Sequence, residues 1–294
     1  MTDPKMLEQI KSGQGFIAAL DQSGGSTPTA LKGYGVAEDA YASEEEMFAA
    51  IHAMRTRIIT SPCFNGDKVI GAILFEKTMD GDADGEAVPA ALWARGVVPF
   101  LKVDKGLEDE SDGVKLMKPM PELDGLCERA VKKGIFGTKM RSVIERASPT
   151  GIAVIVEQQF NVAAQISAHG LMPIIEPEVS IKSPERAECD VILRDEILKA
   201  LDAMSDGQVM LKLTLPAEAN LFAPLVDHPR VLRVVALSGG FSREEACRQL
   251  AQNRGMIASF SRALLSDLRH QMSDKEFDGA LGTAIDDIHS ASVV

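Results

Sequence analysis

Histidine and cysteine are scarce and scattered in this chain, and each scarcity removes a class of chemistry. His52, His169, His228, His270 and His289 are the five histidines, and none forms a His-x-His or His-Glu-x-x-His pattern. No metal centre is therefore expected, and no other cofactor is implied. The four cysteines, Cys63, Cys127, Cys189 and Cys247, stand far apart with no Cys-x-x-Cys pair. They read as reduced, structural thiols of a cytoplasmic protein. No apolar run approaches the roughly 20 residues that cross a bilayer, and the opening residues lack a basic start followed by an apolar stretch. A cytosolic location is the expectation. Basic residues are also outnumbered: Lys+Arg 31 against Asp+Glu 43 gives a formal net charge of -12. That balance argues against general binding to nucleic acid or to an anionic membrane. An acidic protein holds an acidic ligand only by gathering its basic groups at one site.

What is present is a regular alternation. Short apolar runs alternate with longer segments of helical periodicity, which favours a parallel sheet with helical crossovers. Strands are expected at 16–21, 69–75, 97–103, 135–139, 171–176, 209–213, 233–238 and 256–260. Eight such units in 294 residues fit a single (β/α)8 TIM barrel, typically about 250 residues, better than an open doubly wound sheet. One domain over 1–294 is expected, with an N-terminal helical extension (about 1–14) and a C-terminal helical tail (about 272–294). Ser43-Glu44-Glu45-Glu46 and Ser242-Arg243-Glu244-Glu245 have the form of capping boxes. Ser148-Pro149 opens another helix, whose buried face is predicted to carry Ile152, Ile155, Val156, Phe160 and Ala163. The charged, aperiodic segment 108–121 reads as an excursion from the barrel.

Lys212 interrupts the apolar strand Val209-Met210-Leu211-Lys212-Leu213-Thr214-Leu215. A cation buried in such a place tends to shed its proton, and a neutral amine is a nucleophile. A strand-end lysine can also snorkel to water, and the segment alone does not separate these readings. Barrel enzymes place their active sites at the C-terminal ends of the strands. There this chain carries Asp21, Lys102 with Asp104, Lys139 with Arg141, Glu176 with Glu178, Lys212, Ser238 and Arg262. Because side chains alternate along a strand, Lys139 and Arg141 share a direction, as do Glu176 and Glu178. One mouth would gather carboxylates and cations around the amine.

Leu237-Ser238-Gly239-Gly240 lies between a strand and the helix expected from Ser242, and Ser261-Arg262 follows the eighth strand. Two glycines allow close backbone approach, and free N–H groups near a helix start attract an anion. Loops after strands seven and eight are the usual phosphate site of this barrel. Asp21-Gln22-Ser23-Gly24-Gly25-Ser26 offers hydroxyls and amides for a second anion, or forms a solvated turn.

With these residues in order, the chain resembles class I fructose-bisphosphate aldolase, the metal-free Schiff-base type, in its shorter bacterial form. The most specific segments are Leu101-Lys102-Val103-Asp104-Lys105-Gly106, Pro173-Ile174-Ile175-Glu176-Pro177-Glu178 and Leu237-Ser238-Gly239-Gly240. The resemblance implies reversible cleavage of fructose 1,6-bisphosphate to dihydroxyacetone phosphate and glyceraldehyde 3-phosphate, in glycolysis and gluconeogenesis. It implies Lys212 as nucleophile, Glu176 as general acid/base, Lys139 as the cation that steadies the carbinolamine, and Asp21 as the group that orients the C4 hydroxyl. Ser238, Gly239, Gly240, Ser261 and Arg262 would hold one phosphate; Ser23, Ser26, Lys102 and Arg141 would face the other. A small phosphosugar is thus the expected partner, and a homo-oligomer is compatible with the fold. Three departures stand out. Vertebrate relatives have Lys-Pro-Asn at the Schiff-base lysine, where this chain has Lys212-Leu213-Thr214, and Lys105 is the nearest rival. They have basic residues where this chain has Thr29 and Ala30, which leaves Lys32 as a substitute. Their catalytic C-terminal tyrosine has no counterpart beside Tyr34 and Tyr41. A sugar-phosphate isomerase or epimerase, or a phosphosugar-binding protein without catalysis, would use the same phosphate site but give no reason for Lys212.

Overall fold

The computed structural model describes residues 3–294; the first two residues of the expected N-terminal extension lie outside the described residues. Eight strands run parallel in sequence order: β1 (Phe16–Leu20), β2 (Val69–Leu74), β3 (Val98–Lys102), β4 (Gly137–Ile144), β5 (Met172–Val179), β6 (Val209–Thr214), β7 (Val231–Leu237) and β8 (Met256–Ala258). The N–H of Ala19 donates to the carbonyl of Phe260 at 3.2 Å, bringing the two edges together. The result is a nearly closed (β/α)8 barrel in a single domain. Every residue of β1, β2 and β6 is buried, as expected for a sheet covered on both faces.

Two strands run three residues or more past their expected ends. β4 was predicted to stop at Lys139 and β5 at Glu176, yet pairing continues to Ile144 and Val179, with Arg141 opposite Glu176 and Val143 opposite Glu178. Arg141 and Glu178 therefore lie within the ladder. Their charges are tolerated because they point to the mouth while the alternate residues Met140, Ser142 and Val179 stay buried. The excursion at 108–121 is partly regular: Val114–Lys115 adds an antiparallel strand against Val143 and Ile144. Gln158 secures it, accepting from the N–H of Met117 at 2.9 Å and donating to its carbonyl at 3.0 Å.

The inward faces of the strands change character along their length. Near the N-terminal end Ile17, Ile73, Val98, Phe100, Ile174, Met210, Val235 and Ile257 fill the barrel as one apolar cluster. Two or four residues further along the same inward faces stand Asp21, Lys102, Lys139, Glu176, Lys212 and Ser259. Gly137 is required by this filling, since a Cβ there would meet the Met172 carbonyl at 2.2 Å and the Phe100 ring at 2.9 Å. Helix Pro4–Ser12 seals the bottom, with Met6 and Ile10 in the inner cluster. Arg233 of β7 secures its C-terminal end, donating to the carbonyls of Ile10 and Gly13 at 3.0 Å each.

Outside, the ring helices cover a second, larger apolar shell. Ser43 caps helix Glu44–Thr60 and Ser242 caps helix Arg243–Leu250, but neither glutamate completes its box. Glu46 accepts from Ala42 N–H, and Glu245 turns to Arg248 and Gln249. The reciprocal box is found instead at Ser273 and Glu276, opening helix Asp274–Ser292. That segment, expected as a tail, lies against β8, β1 and helix Arg243–Leu250 and so takes the eighth place in the ring. Its Ser292 Oγ accepts from the N–H of Ala258 in β8 at 3.0 Å. Helix Pro149–Ala168 starts at Ser148 as expected, but its buried face includes Gln159 in place of Phe160, which is only partly covered.

Candidate active site

At the C-terminal ends of the strands lies a cavity of about 750 Å³. Its floor is a chain of four buried charges. The Nζ of Lys139 lies 3.0 Å from Asp21 Oδ2 and 2.8 Å from Glu176 Oε2. The other oxygen of Glu176 lies 3.5 Å from the Nζ of Lys212. All four residues are at most 9 % exposed. Strand alternation explains the arrangement: β4, β5 and β6 each present one of these side chains inward, one step above the apolar filling. Burial works to raise the Asp21 carboxyl, but the ammonium groups of Lys139, Lys212 and Lys102 outweigh it and hold the carboxyl well below the ordinary range. Burial likewise opposes the charge on Lys139, yet Asp21 and Glu176 override it and push the ammonium above its ordinary value.

A second tier of charges stands nearer the mouth. Lys102 Nζ lies 3.4 Å from Asp104 Oδ1 and donates to Ser23 Oγ at 2.8 Å. Arg141 pairs with Glu178 at 3.0 Å. Burial raises the Glu178 carboxyl, with the Arg141 guanidinium pulling the other way. On the opposite wall Ser238, Gly239, Ser261 and Arg262 line the cavity. The Arg262 side chain forms no ion pair or hydrogen bond among the described residues, so its guanidinium, in the cavity wall, is open to an anion. Gly239 has φ +58, and a Cβ there would meet Ile181 at 2.6 Å, which is why the turn carries glycine.

Most of the residues singled out in the sequence meet around this one space: Asp21, Ser23, Ser26, Lys102, Lys139, Arg141, Glu176, Lys212, Ser238, Gly239, Ser261 and Arg262 all line it. Gly240 does not; it lies behind, with the Arg262 guanidinium against it. Lys105 is not in the lining, and pairs with Glu76 at 2.8 Å, so it is no rival to Lys212 in position. Lys32 is exposed and outside the lining, whereas Thr29 and Ala30 are part of it.

Other contributors have roles that the sequence did not assign. Gln159, fully buried, accepts from the backbone N–H of Glu176 at 2.8 Å and donates to Ser142 Oγ at 2.8 Å. It fixes β5 where the carboxylate must be held. Ser259, 1 % exposed, lines the floor with its Oγ unpartnered. Gln22 bridges β1 to the loop after β8. A polar residue on an apolar helix face, as at Gln159, is the one local signal among these.

A buried amine, a carboxylate beside it and a cation open to an anion are groups that could serve covalent chemistry on a phosphorylated carbonyl compound. The sequence model of the fructose-bisphosphate aldolase class-I family matches residues 5–228, which span β1 to β6 and contain Asp21, Lys139, Glu176 and Lys212. Among solved structures, the fructose-bisphosphate aldolase of Plasmodium falciparum, crystallised with TRAP and a small-molecule inhibitor, superposes with a TM-score of 0.81 at 21 % identity, covering 98 % of this chain and 93 % of that one. At that identity the likeness speaks for the fold. The flavin-binding domain of baker's yeast flavocytochrome b2 has a TM-score of 0.47 at 8 % identity, covering 95 % of this chain and 63 % of that one. A sugar phosphate isomerase/epimerase from Parabacteroides distasonis has a TM-score of 0.42 at 12 % identity, covering 93 % of both chains. Neither is near enough to bear on function. With the family model spanning most of its length, the chain belongs to the class-I fructose-bisphosphate aldolases.

Proposed function

We propose that the protein cleaves fructose 1,6-bisphosphate reversibly through a Schiff base on Lys212. The observation that carries this reading is the position of Lys212: a buried amine 3.5 Å from the Glu176 carboxylate, in a cavity whose far wall holds the unengaged Arg262. Arg262, Ser238 and Gly239 hold the phosphate on C1, which places the C2 ketone over the amine. Glu176, 3.5 Å from Lys212, takes a proton from its ammonium; the freed amine adds to C2, and Glu176 relays that proton and the one the nitrogen sheds to the ketone oxygen, which leaves as water and gives an iminium. Lys139, held by Asp21 and Glu176, steadies the oxygen as it becomes charged. Asp21 takes the proton from the C4 hydroxyl, the C3–C4 bond breaks, and its electron pair moves into the iminium to give an enamine. The aldehyde fragment leaves. Protonation of the enamine at C3, with Glu176 the nearest acid to Lys212, and hydrolysis of the iminium release dihydroxyacetone phosphate and restore the amine.

Ser23, Ser26, Lys102 and Arg141 face the other phosphate. A cytoplasmic enzyme of glycolysis and gluconeogenesis is the setting that fits this reaction. Borohydride reduction with dihydroxyacetone phosphate, followed by peptide mass analysis, tests the reading. The expected adduct is on Lys212, and an adduct elsewhere, or none, refutes it. Replacing Lys212 by Ala is expected to remove nearly all cleavage, whereas an enzyme that only moves protons through Glu176 would keep most of its turnover.

A further inference from the structure

Arg55 lies on helix Glu44–Thr60, behind the cavity, and is 1 % exposed. It is the largest fully buried side chain and carries a charge that none of the chemistry above uses. Its partners are all neutral. Nη1 donates to Thr78 Oγ1 at 2.8 Å, Nη2 donates to the carbonyl of Gln22 and, at 3.3 Å, to Gln22 Oε1, and Nε has no partner. A buried guanidinium without a carboxylate is an expensive element, and stability alone gives no reason to keep it. Burial lowers its pKa to about 10, with the charge of Asp21 working the other way.

The consequence falls on Gln22. Because Gln22 Oε1 faces Arg55, its amide nitrogen must face the other way, where it donates to Ser261 Oγ and, at 3.3 Å, to the carbonyl of Ala19. Arg55 has only donors, so the amide cannot be flipped without setting N–H against N–H. Ser261 Oγ thereby accepts a hydrogen bond and keeps its own proton to donate. That hydroxyl lines the cavity next to Arg262. A hydroxyl free to accept or donate on either side would not discriminate in favour of an anion; one committed as a donor does.

We propose that Arg55 is a positioning residue for phosphate: through the Gln22 amide it commits the Ser261 hydroxyl as a hydrogen-bond donor to the anion held by Arg262. The ligand class, a phosphorylated carbonyl compound, rests on the function proposed above.

The test uses the full chain and inorganic phosphate as the probe, with its Kd read by calorimetry alongside KM for the bisphosphate. Arg55→Met is expected to weaken phosphate about tenfold and to raise KM by more than it lowers kcat. Ser261→Ala is expected to do the same. In the double variant the two losses should fail to multiply, because both remove one hydrogen bond. Losses that multiply would show that Arg55 acts by another route, and a phosphate Kd within about twofold of the parent in Arg55→Met would overturn the proposal. Should that variant not fold, Gln22→Glu serves. Its new carboxylate accepts from Arg55 and Ser261 together, so melting temperature should hold or rise while phosphate weakens, and Ser261→Ala should add little. A full further loss on adding Ser261→Ala would mean simple repulsion and would also overturn it. Parent protein that binds phosphate but cleaves no bisphosphate would sink the aldolase reading and leave this one standing.

Discussion

Replacing Lys139 by Met puts the floor of the cavity under the most direct strain. The ammonium lies 3.0 Å from Asp21 and 2.8 Å from Glu176, and all three residues are at most 9 % exposed, so its removal strands two buried carboxylates at once. Breaking a buried pair by deleting one partner costs about 3–5 kcal/mol. Lys212 and Lys102 remain near Asp21 and keep the estimate at the single-pair figure. The pH dependence follows from the Asp21 carboxyl, which is held far below its ordinary value of 3.8 in the parent. A depressed carboxyl contributes stability that is present above the unfolded pKa and lost as pH falls through the folded one. Without Lys139 the burial that opposes ionisation is less compensated, so the folded pKa moves up, and part of the penalty is relieved by protonation as pH falls. Lys139, with its own pKa raised, contributes fully at all pH values below its unfolded value and adds no slope between pH 5 and 8. Urea denaturation at pH 8 should therefore show the variant about 3–5 kcal/mol less stable, with the difference narrowing as pH falls through the ordinary carboxylate range. A loss under about 1 kcal/mol at pH 8, or a loss that does not shrink on acidification, would refute the description of Lys139 as the shared counter-ion.

Two further outcomes concern stability elsewhere. Burial raises the Asp190 carboxyl from 3.8 to about 6, against the Ala217 N–H that it accepts at 2.8 Å and the charge of Arg186. The folded state then keeps a proton that the unfolded state has released, so stability should fall by about 2 kcal/mol between pH 4 and pH 6, a slope that Asp190→Asn should flatten in denaturation curves. No change of slope in that variant would place the proton elsewhere. Gly137→Ala should lower thermal stability by about 2–4 kcal/mol, because the new methyl enters the space of the Met172 carbonyl and the Phe100 ring. An unchanged melting temperature would mean that the barrel filling is loose at Phe100.

The alternation of strands and helices was legible because buried parallel strands are written as short apolar runs, and Val69–Leu74 or Val209–Thr214 could hardly read otherwise. Their ends were less so. Arg141 and Glu178 look like the start of a loop, and only the cross-strand pairing shows that they extend the ladder. The capping serines were readable as caps, since the serine–N–H bond is local, whereas the glutamates of two boxes were drawn off by Ala42, Arg248 and Gln249. Lys212, Glu176 and Lys139 could be expected to converge from their strand positions alone. Gln22 and Ser261 stand 239 residues apart in sequence and touch only after the barrel closes, so no local pattern announces them. Arg55 carries no signal at all in a helix that also holds Arg57.

Because the barrel is plugged by Phe100 and its apolar neighbours and closed beneath by helix Pro4–Ser12, the cavity has no exit through the bottom of the barrel and opens towards the C-terminal ends of the strands. A molecule that is cut in two inside a blind well cannot release its halves at will. If Lys212 holds one half at the floor, the half nearer the rim must depart before the other can follow, and in the synthetic direction the tethered half must enter first. Order of release would then be a property of the vessel's shape, set by the same hydrophobic filling that lets the barrel fold.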